Sequence, residues 1–208
     1  MAAFSDEERA RIREDLIQTG RELMIRYGPK KTTITDITES VGISKPMFYR
    51  FFDSKSNLYL EILRCESEDL YETIRDALDG VTDPCTGLER LLGCYREYFE
   101  NSPLVQQTFT QENYRELFRN ISTEELKEIR QEGIADILPF IEALQERSSG
   151  PFADRDPATV LGVISTIALQ VLHKERYDEY EEGYYDQTMD LLITSLATGL
   201  TTTQTELV

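Results

Sequence analysis

Residues 32–58 read TTITDITESVGISKPMFYRFFDSKSNL, and this stretch decides the fold of the N-terminal part of the chain. Its residue types predict a short helix, a tight turn at Gly42, where glycine tolerates positive φ, and a second short helix capped by Ser44. Lys45 and Pro46 fill the first turn of that second helix. Proline is tolerated there because the backbone N–H that it lacks would have no hydrogen-bond partner within the helix. The stretch therefore predicts a helix-turn-helix.

Apolar residues at helical spacing continue on both sides of this stretch. They predict helices over 6–27 and 56–80, after Pro84, after Pro103, after the capping pair Ser122 and Glu125, and over 157–180 and 184–200. No segment alternates convincingly enough for a strand. We expect an all-α protein of about nine helices. Residues 1–55 are predicted to be a three-helix helix-turn-helix domain, and 56–208 a helical domain, to which the resemblance described below assigns ligand binding and dimerisation.

Charge is distributed unevenly along the 208 residues. The formal net charge of −17 argues against a nucleic-acid partner, since phosphate contacts need cations. However, residues 1–60 carry 10 basic and 9 acidic side chains, whereas the rest carry 12 and 30. This asymmetry predicts two roles on one chain and a repulsion of DNA from all but the N-terminal part. The sequence has neither a membrane-length apolar stretch nor a secretory signal, so we expect a cytoplasmic protein.

The sequence offers no constellation for catalysis. Its cysteines, Cys65, Cys85 and Cys94, are odd in number and lack metal-ligand spacing, and the only histidine is His173. Glycine-rich phosphate loops and a nucleophile elbow are absent, and the carboxylates are scattered at surface spacing. We therefore expect no enzyme, no catalytic residue, no metal and no cofactor.

The second short helix has the properties of a DNA-recognition helix. Ser44, Lys45 and Met47 lie at its N-terminal end, where a helix entering the major groove presents its donors. We predict that at least two of the phenylalanines at 48, 51 and 52 form the domain core, with Tyr49 and Arg50 facing outward.

In this same stretch the chain resembles the tetracycline-repressor (TetR/AcrR) family of transcriptional regulators. The features in common are a threonine-rich helix start, a glycine turn, an aromatic cluster and a Ser-Lys-x-x-Leu segment. This sequence supplies them as Thr33, Ile37, Gly42, Ile43, Ser44, Phe48, Tyr49, Phe51, Phe52, Ser54, Lys55 and Leu58. It departs from the family pattern at Thr38, where alanine is usual, and at 46–47, where Gly-Thr is common.

The resemblance implies that some of the DNA-binding residues contact the DNA backbone and others lie near the bases. Carried over from the family, Thr33, Thr35, Tyr49 and Lys55 contact the sugar-phosphate backbone. Ser44, Lys45 and Met47 lie nearest the bases. The complete predicted set is Thr33, Thr35, Ser44, Lys45, Pro46, Met47, Tyr49, Arg50 and Lys55. We also expect that replacing Lys55 by alanine weakens binding to all DNA sequences and lowers the salt slope by about one unit.

The helix predicted over 157–180 is apolar around nearly its whole circumference, and a partner chain is the simplest way to bury it. The resemblance implies a four-helix interface built from the last two helices of each subunit. The predicted interface residues are Val160, Ile164, Ile167, Ala168, Val171, Met189, Leu192, Ile193 and Leu196. A central helix of a monomeric bundle is the alternative. A two-fold homodimer predicts a palindromic operator.

The middle helices are rich in aromatic residues, and the family holds a ligand among such helices. The predicted ligand-binding residues are Tyr95, Tyr98, Phe99, Phe109, Tyr114, Phe118, Phe140 and Leu144. These side chains predict an apolar pocket for a small lipophilic, aromatic or acyl effector, although each of them could equally be ordinary core.

The function expected from these features is a ligand-responsive DNA-binding regulator. The resemblance favours a repressor that binds a palindromic operator as a homodimer and is released by its effector. The alternatives are a helical adaptor or a helical enzyme without sequence-specific DNA binding.

Overall fold

A computed structural model describes residues 5–108, 117–118, 121–148 and 152–202 of the chain. This part of the chain is built from nine α-helices and one 3-10 turn, and it contains no strand, which confirms the all-α prediction. None of its helices is both long and apolar enough to cross a membrane. Phe109 and Tyr114, two of the predicted ligand-binding residues, lie outside the described residues.

The helices follow the predicted order. They are α1 (Asp6–Tyr27), α2 (Ile34–Val41), α3 (Lys45–Phe48), α4 (Lys55–Leu78), α5 (Pro84–Asn101), α6 (Pro103–Thr108), α7 (Thr123–Gln145), α8 (Pro157–Leu172) and α9 (Tyr184–Thr201). A 3-10 turn, Lys174–Tyr177, follows α8.

Side-chain caps define several helix starts. Ser5 and Glu8 form a complete capping box at the start of α1, in which each side chain bonds the other residue's backbone N–H. Asp156 caps α8 by accepting the Thr159 N–H at 3.0 Å. The Ser122 hydroxyl accepts the Glu125 N–H at 3.1 Å at the start of α7, where the sequence predicted a cap.

The chain divides into two compact units, which do not follow the predicted boundary at 55/56. The first comprises residues 1–67 and 102–127, and the second 68–101 and 128–208. The first unit extends beyond residue 55 because the early turns of α4 bury Leu58, Tyr59 and Ile62 in the same core as α1 to α3. The assignment of separate functions to 1–55 and 56–208 stays a prediction.

The core of the first unit joins α1, α3, the start of α4 and α6. Its most buried members include Leu16, Phe48, Leu58 and Leu104, each with no exposed surface. Tyr59 adds a polar tie, because its hydroxyl bonds the Leu104 carbonyl at 3.1 Å and the Thr108 hydroxyl at 2.7 Å.

A buried carboxylate also stabilises the first unit. Glu66 is 8% exposed, and it accepts bonds from Arg21 Nε and from the Ser102 hydroxyl, both at 2.5 Å. The charge is acceptable in the interior because both oxygens have donors. Glu66 thereby ties α4 to α1 and to the start of α6.

In the second unit, α5 packs against both α8 and α9. Arg96 of α5 bonds Glu100 and Asp190 at 3.0 and 2.9 Å and also pairs with Asp186 of α9. Its guanidinium carbon lies 5.4 Å from the ring centre of Tyr185. One cation thus contacts three carboxylates and joins the two helices.

The helix predicted over 157–180 is shorter than expected. Helix α8 ends at Leu172, because His173 leaves helical dihedral angles (φ −113°, ψ 21°) and a 3-10 turn follows. The Tyr177 hydroxyl donates to Gln170 Oε1 at 2.8 Å, and the Tyr177 ring packs edge-on against Tyr185. These side-chain contacts hold the chain in its turn toward α9. The spacing of apolar residues in the sequence does not predict them.

Candidate nucleic-acid interface

The turn between α2 and α3 has the conformation that its glycine allows. Gly42 adopts φ 79° and ψ 28°, the left-handed region, and its N–H bonds the carbonyls of Thr38 and Glu39 at the end of α2. Ile43 N–H bonds the Thr38 carbonyl at 2.9 Å and completes the turn. The chain thus leaves α2 and enters α3 within a few residues.

Helix α3 is a single regular turn, Lys45–Phe48, and turn hydrogen bonds continue to Phe52. Ser44 stands at the cap position with extended backbone, but its side chain makes no capping bond, so the predicted Ser44 cap is absent. The Ser44 carbonyl instead accepts the Met47 N–H at 2.8 Å. The hydroxyl therefore stays on the exposed surface.

Opposite faces of the 44–52 segment differ in burial. Phe48 is fully buried and Phe52 is 6% exposed, so two of the three phenylalanines form core as predicted. Tyr49 is 49% exposed and Arg50 is exposed, which confirms that both face outward. Ser44, Lys45 and Pro46 are exposed, and Met47 is partly buried.

The N-terminal end of α2 is fixed by a second capping box. Thr33 accepts the Asp36 N–H at 3.1 Å, and Asp36 Oδ2 accepts the Thr33 N–H at 2.8 Å and its hydroxyl at 2.7 Å. The Thr33 hydroxyl and N–H, in that order, lower the pKa of Asp36, and the positive charge of Lys55 adds to the effect. Thr33 and Thr35 are both exposed.

Lys55, the first residue of α4, bonds the backbone of the loop that precedes α2. Its ammonium group donates to the Pro29 carbonyl at 2.8 Å and to the Thr32 carbonyl at 2.9 Å. Two of its three donors are therefore engaged within the protein, and the predicted phosphate contact is not its only role.

Sequence reasoning missed part of this site. Thr33 and Asp36 have the Thr-x-x-Asp spacing of a capping box, a signal present in the sequence. Thr32, 2% exposed, donates its hydroxyl to the carbonyls of Leu23 at 3.1 Å and Gly28 at 2.9 Å. No sequence signal could have revealed the contacts of Lys55, since its partners lie 23 and 26 positions away.

The described members of the predicted ligand-binding set are distributed over both units. Phe118 belongs to the first unit, where its ring packs against Tyr59 with 6.4 Å between centres. In the second unit, Tyr95, Tyr98 and Phe99 form an aromatic group on α5. Phe140 and Leu144 lie on α7, and Leu144 is 2% exposed.

Two small clefts in the second unit include predicted ligand residues. One has a volume of about 200 Å³ and is lined by Tyr98 together with Asp69, Glu97 and Cys94. The other, of about 180 Å³, is lined by Phe140 and Leu144 together with Arg75, Asp79 and Arg147. Charged and apolar side chains line both clefts, and the apolar ligand pocket stays a prediction.

The predicted interface residues are mostly buried within the chain itself. Six of them are at most 8% exposed, namely Val160, Ile164, Ile167, Ala168, Val171 and Met189. The other three, which lie on α9, are partly buried, namely Leu192, Ile193 and Leu196. Helix α5 covers one side of α8, whereas Gly162, Ser165 and Leu169 on α8 stay exposed, so the partner-covered interface stays a prediction. Large apolar side chains that remain exposed on α8 and α9 are Leu169, 56%, and Leu191, 69%.

The geometry of the first unit agrees with a comparison against protein families. The family model described as "Bacterial regulatory proteins, tetR family" matches residues 16–62, which run from within α1 into the first turns of α4. This range includes the left-handed turn and both exposed helix starts.

Residues 16–62 therefore match the N-terminal domain of the TetR family.

Two transcriptional regulators match part of the chain. It is 33% identical over 100 residues to the HTH-type transcriptional repressor KstR2 of Mycolicibacterium smegmatis, covering 48% of this chain and 47% of that protein. It is 27% identical over 108 residues to the HTH-type transcriptional activator FasR of the same organism, covering 52% and 46%. The chain thus matches about half the length of these relatives, which are regulators and not enzymes.

A solved structure of a transcriptional regulator matches the fold over most of the chain. The structure of the regulator FadR from Bacillus subtilis in complex with stearoyl-CoA superposes with a TM-score of 0.66. The match covers 89% of this chain and 98% of FadR at 12% identity. At that identity the likeness shows the fold alone.

Proposed function

We propose that this chain is a TetR-family transcriptional regulator, which binds duplex DNA in a sequence-specific way through α2, α3 and the turn between them. The observation that carries the proposal is the division of the 44–52 segment into a buried aromatic face and an exposed polar one. The exposed face carries Ser44, Lys45, Tyr49 and Arg50, whereas Phe48 anchors the segment in the core. A rigidly held short helix of this kind fits the major groove.

The residues of this surface have two proposed roles. Ser44, Lys45, Pro46 and Met47 meet base edges, because they form the leading end of α3. Their exposed polar groups and the Met47 side chain can distinguish bases in the groove.

Sugar-phosphate contacts come from the flanks of the same surface. Thr35 and Tyr49 are exposed residues with hydroxyl groups, and Arg50 presents a guanidinium. Thr33 is exposed as well, with its hydroxyl bonded to Asp36. Such contacts position the protein without reading the sequence. Lys55 also belongs to this group, although its ammonium is bonded to two backbone carbonyls as well.

We further propose that the chain acts as a homodimer through the outer faces of α8 and α9. Each helix keeps one exposed leucine, Leu169 or Leu191. Exposed small residues, including Gly162, Ser165 and Ser195, allow a partner helix to approach closely. A two-fold dimer places two copies of α3 about one DNA turn apart, so the operator is palindromic.

The regulatory signal is proposed to be a small, largely apolar effector, either lipophilic, aromatic or acyl. The aromatic group on α5 supports this class, and so does the stearoyl-CoA in complex with FadR of Bacillus subtilis. An effector that binds more tightly to a conformation that cannot fit the operator must lower the affinity for DNA. By linkage, bound DNA lowers the affinity for the effector by the same factor. Repression is the proposed outcome, since the relative KstR2 is a transcriptional repressor.

Selection from a random duplex pool tests DNA binding. The purified full chain is expected to enrich a palindrome, and its affinity is expected to fall steeply with salt. Lys45→Met is expected to relax the preference at one position of each half-site, and Arg50→Met to lower the slope of log K against log salt by about one unit. Lys127→Met removes one exposed charge from α7 and serves as the matched control.

If no duplex is enriched even at low salt, the regulator function fails and a helical adaptor takes its place. The enriched duplex also supports a screen for effectors. Long-chain acyl-CoA, free fatty acids and aromatic compounds are added to the complex, and release of labelled DNA is followed. Release by none of them contradicts the proposed effector class.

A further inference from the structure

A cleft of the second unit is lined by the last turns of α4 and the end of α7. Its volume is about 180 Å³, and its apolar lining comes from Leu78 of α4 and from Phe140, Ala143 and Leu144 of α7. An apolar cavity of about 150 Å³ is enough to hold one benzene molecule. The cleft therefore has room for a single aromatic ring with a small substituent, but not for a long acyl chain.

Two of the apolar side chains are held in place by neighbours. The ring of Phe140 packs against Tyr71 of α4 with 6.4 Å between the ring centres, and the Tyr71 hydroxyl donates to the Gly133 carbonyl at 3.3 Å. Leu144 is 2% exposed and lies against α5 at Gly87. These side chains thus have defined positions without a ligand, which reduces the entropy that binding costs.

Two arginines also line the cleft, Arg75 of α4 and Arg147, which follows α7. Arg75 is exposed, and within the part of the chain that the structure describes its guanidinium has neither a hydrogen bond nor an ion pair. Arg147 Nη1 donates to the Val81 carbonyl at 2.6 Å, which orients the guanidinium and leaves its other N–H groups for a second acceptor. The planar fork of N–H groups on an arginine fits a carboxylate.

The charge of this cleft contrasts with that of its surroundings. Residues 61–208 carry 12 basic and 30 acidic side chains, yet the cleft combines two guanidinium groups with one carboxylate, that of Asp79. Asp79 is exposed, so water weakens its repulsion of an anion. The other small cleft of this unit is lined by Asp69 and Glu97, with no arginine or lysine among its described lining residues. Only the first of these two clefts therefore favours an anion.

Capping of α4 does not account for both arginines. Arg90 of α5 serves the helix end without lining the cleft, because its Nη1 donates to the Ala77 carbonyl at 2.9 Å. Arg147 serves the chain just after α4 through Val81 and lines the cleft as well. Arg75 lines the cleft and bonds no carbonyl of the described residues, so its guanidinium is available to a ligand.

We propose that this cleft binds a small aromatic monocarboxylate. The guanidinium groups of Arg75 and Arg147 bind the carboxylate, and the ring lies against Phe140 and the two leucines. The inference rests on the proposed function and deepens it, since the bound acid is the effector that lowers the affinity for DNA. The charged group of the effector is thereby specified, in addition to its aromatic part.

NMR titration of the purified full chain tests the site without DNA. Benzoate is the probe, and benzamide is its uncharged counterpart of nearly the same shape. Benzoate is expected to bind with a Kd of about 1 mM or tighter, and benzamide at least about tenfold more weakly. Equal affinities for the two compounds overturn the proposal, and so does the absence of benzoate binding at about 20 mM.

Four arginine variants locate the binding site. Arg75→Met and Arg147→Met are each expected to weaken benzoate binding at least about tenfold, because each removes a charged donor. Arg176→Met removes an exposed charge of the same unit outside the cleft, and Arg90→Met removes a bond to the end of α4. Both controls are expected to change the affinity less than about twofold. A loss in either control as large as that in Arg75→Met overturns the proposal. If Arg147→Met does not fold, Arg75→Met decides the outcome, because it breaks no hydrogen bond among the described residues.

A saturated analogue tests the aromatic part of the ligand class. Cyclohexanecarboxylate carries the same charge, and it is expected to bind at least about threefold more weakly than benzoate, since its ring cannot make an aromatic contact with Phe140. Phe140→Leu is expected to remove this preference. Equal binding of the two acids to the unmodified chain overturns the aromatic assignment.

Benzoate added to the complex with the selected duplex connects the site to regulation. Saturating benzoate is expected to lower the affinity for DNA at least about fivefold in the unmodified chain, with less than about a twofold effect in Arg75→Met. Unchanged DNA affinity with benzoate bound overturns the effector role. If the chain binds benzoate but selects no duplex, the proposed function fails and the site stands. If it selects a duplex but does not bind benzoate, the site fails and DNA binding stands.

Discussion

At the scale of single residues, conformations and hydrogen bonds that few residue types allow define the DNA-binding unit. Gly42 has a left-handed backbone, and Thr38, 2% exposed, satisfies its hydroxyl by donating to the Thr35 carbonyl at 3.1 Å. Threonine is therefore accommodated where the family usually has alanine. The turn therefore depends on the backbone conformation of Gly42, and the core contact of α2 on the hydrogen bond of Thr38.

Gly42→Ala is expected to destabilise the protein by about 1 kcal/mol, because a Cβ is disfavoured at φ 79°. The free space around Gly42 makes this a backbone effect and not a clash. Urea unfolding measures the change. Gly42→Asn is the control and should lose less stability, since asparagine tolerates the left-handed region. Equal losses for both variants would argue that side-chain packing, and not backbone strain, sets the cost.

Tyr59 predicts a change of stability at high pH. Burial, the largest cause, raises the pKa of Tyr59 to about 12 in the folded protein, from about 10 in the unfolded chain. Because the folded pKa is the higher one, the stability from the protonated hydroxyl is complete below about pH 10 and is lost as pH rises from about 10 toward 12. Tyr59→Phe lacks this titration.

Urea unfolding at about pH 8 and about pH 11 checks this prediction. At the lower pH, Tyr59→Phe is expected to be less stable than the unmodified protein by about 1 kcal/mol, since two hydrogen bonds are lost. At the higher pH the two proteins should be about equally stable, because about one pH unit above the unfolded pKa removes about 1.4 kcal/mol from the unmodified protein. A constant difference between the two pH values contradicts the prediction.

At the scale of helices, local sequence signals set most of the boundaries, whereas packing sets the helix contacts. Helices α1, α5 and α6 begin or end at serine, glycine or proline signals, and the predicted starts agree with the structure. Gly87 shows what those signals do not reveal. It lies in α5, and a Cβ built there would overlap Leu144 Cδ2 of α7.

Gly87→Ala is therefore expected to destabilise the second unit by about 1 kcal/mol, because buried Leu144 must leave its position to avoid the new methyl group. Gly93 is a matched control on the same helix, since a Cβ there meets no atom within 4 Å. Gly93→Ala is expected to stabilise the protein by about 0.5–1 kcal/mol through helix propensity. Thermal and urea unfolding measure both, and stabilisation by both variants would contradict close α5–α7 packing.

At the scale of the whole molecule, the proposed dimer determines how DNA is bound. The single chain buries most of the apolar surface of α8 by itself, so the association must use the outer faces of α8 and α9, where Leu169 and Leu191 are exposed. The proposed interface therefore still uses α8 and α9. Its contacts now come from exposed residues such as Leu169 and Leu191.

Leu169→Glu and Leu191→Glu are expected to convert a dimer, of twice the 24.0 kDa chain mass, into a monomer at micromolar concentration. The physical reason is that a carboxylate without a partner is costly inside an apolar interface. Light scattering measures the mass, and operator affinity is expected to fall in parallel. Ala135→Glu, at an exposed position of α7, is the control and should stay dimeric. A monomeric unmodified chain rules out the dimer.

The amino-acid sequence by itself determined the all-α class, the order of the helices, the glycine turn and the outward face of the 44–52 segment. It could do so because these features depend on caps, propensities and apolar spacing within a few residues. Only the tertiary structure decided that Lys55 holds the loop before α2, that α5 covers α8, and that α8 ends at Leu172. These three features depend on side-chain contacts that the spacing of residue types within a helix does not specify. The contacts of Lys55, and those between α5 and α8, join residues that are far apart in the chain.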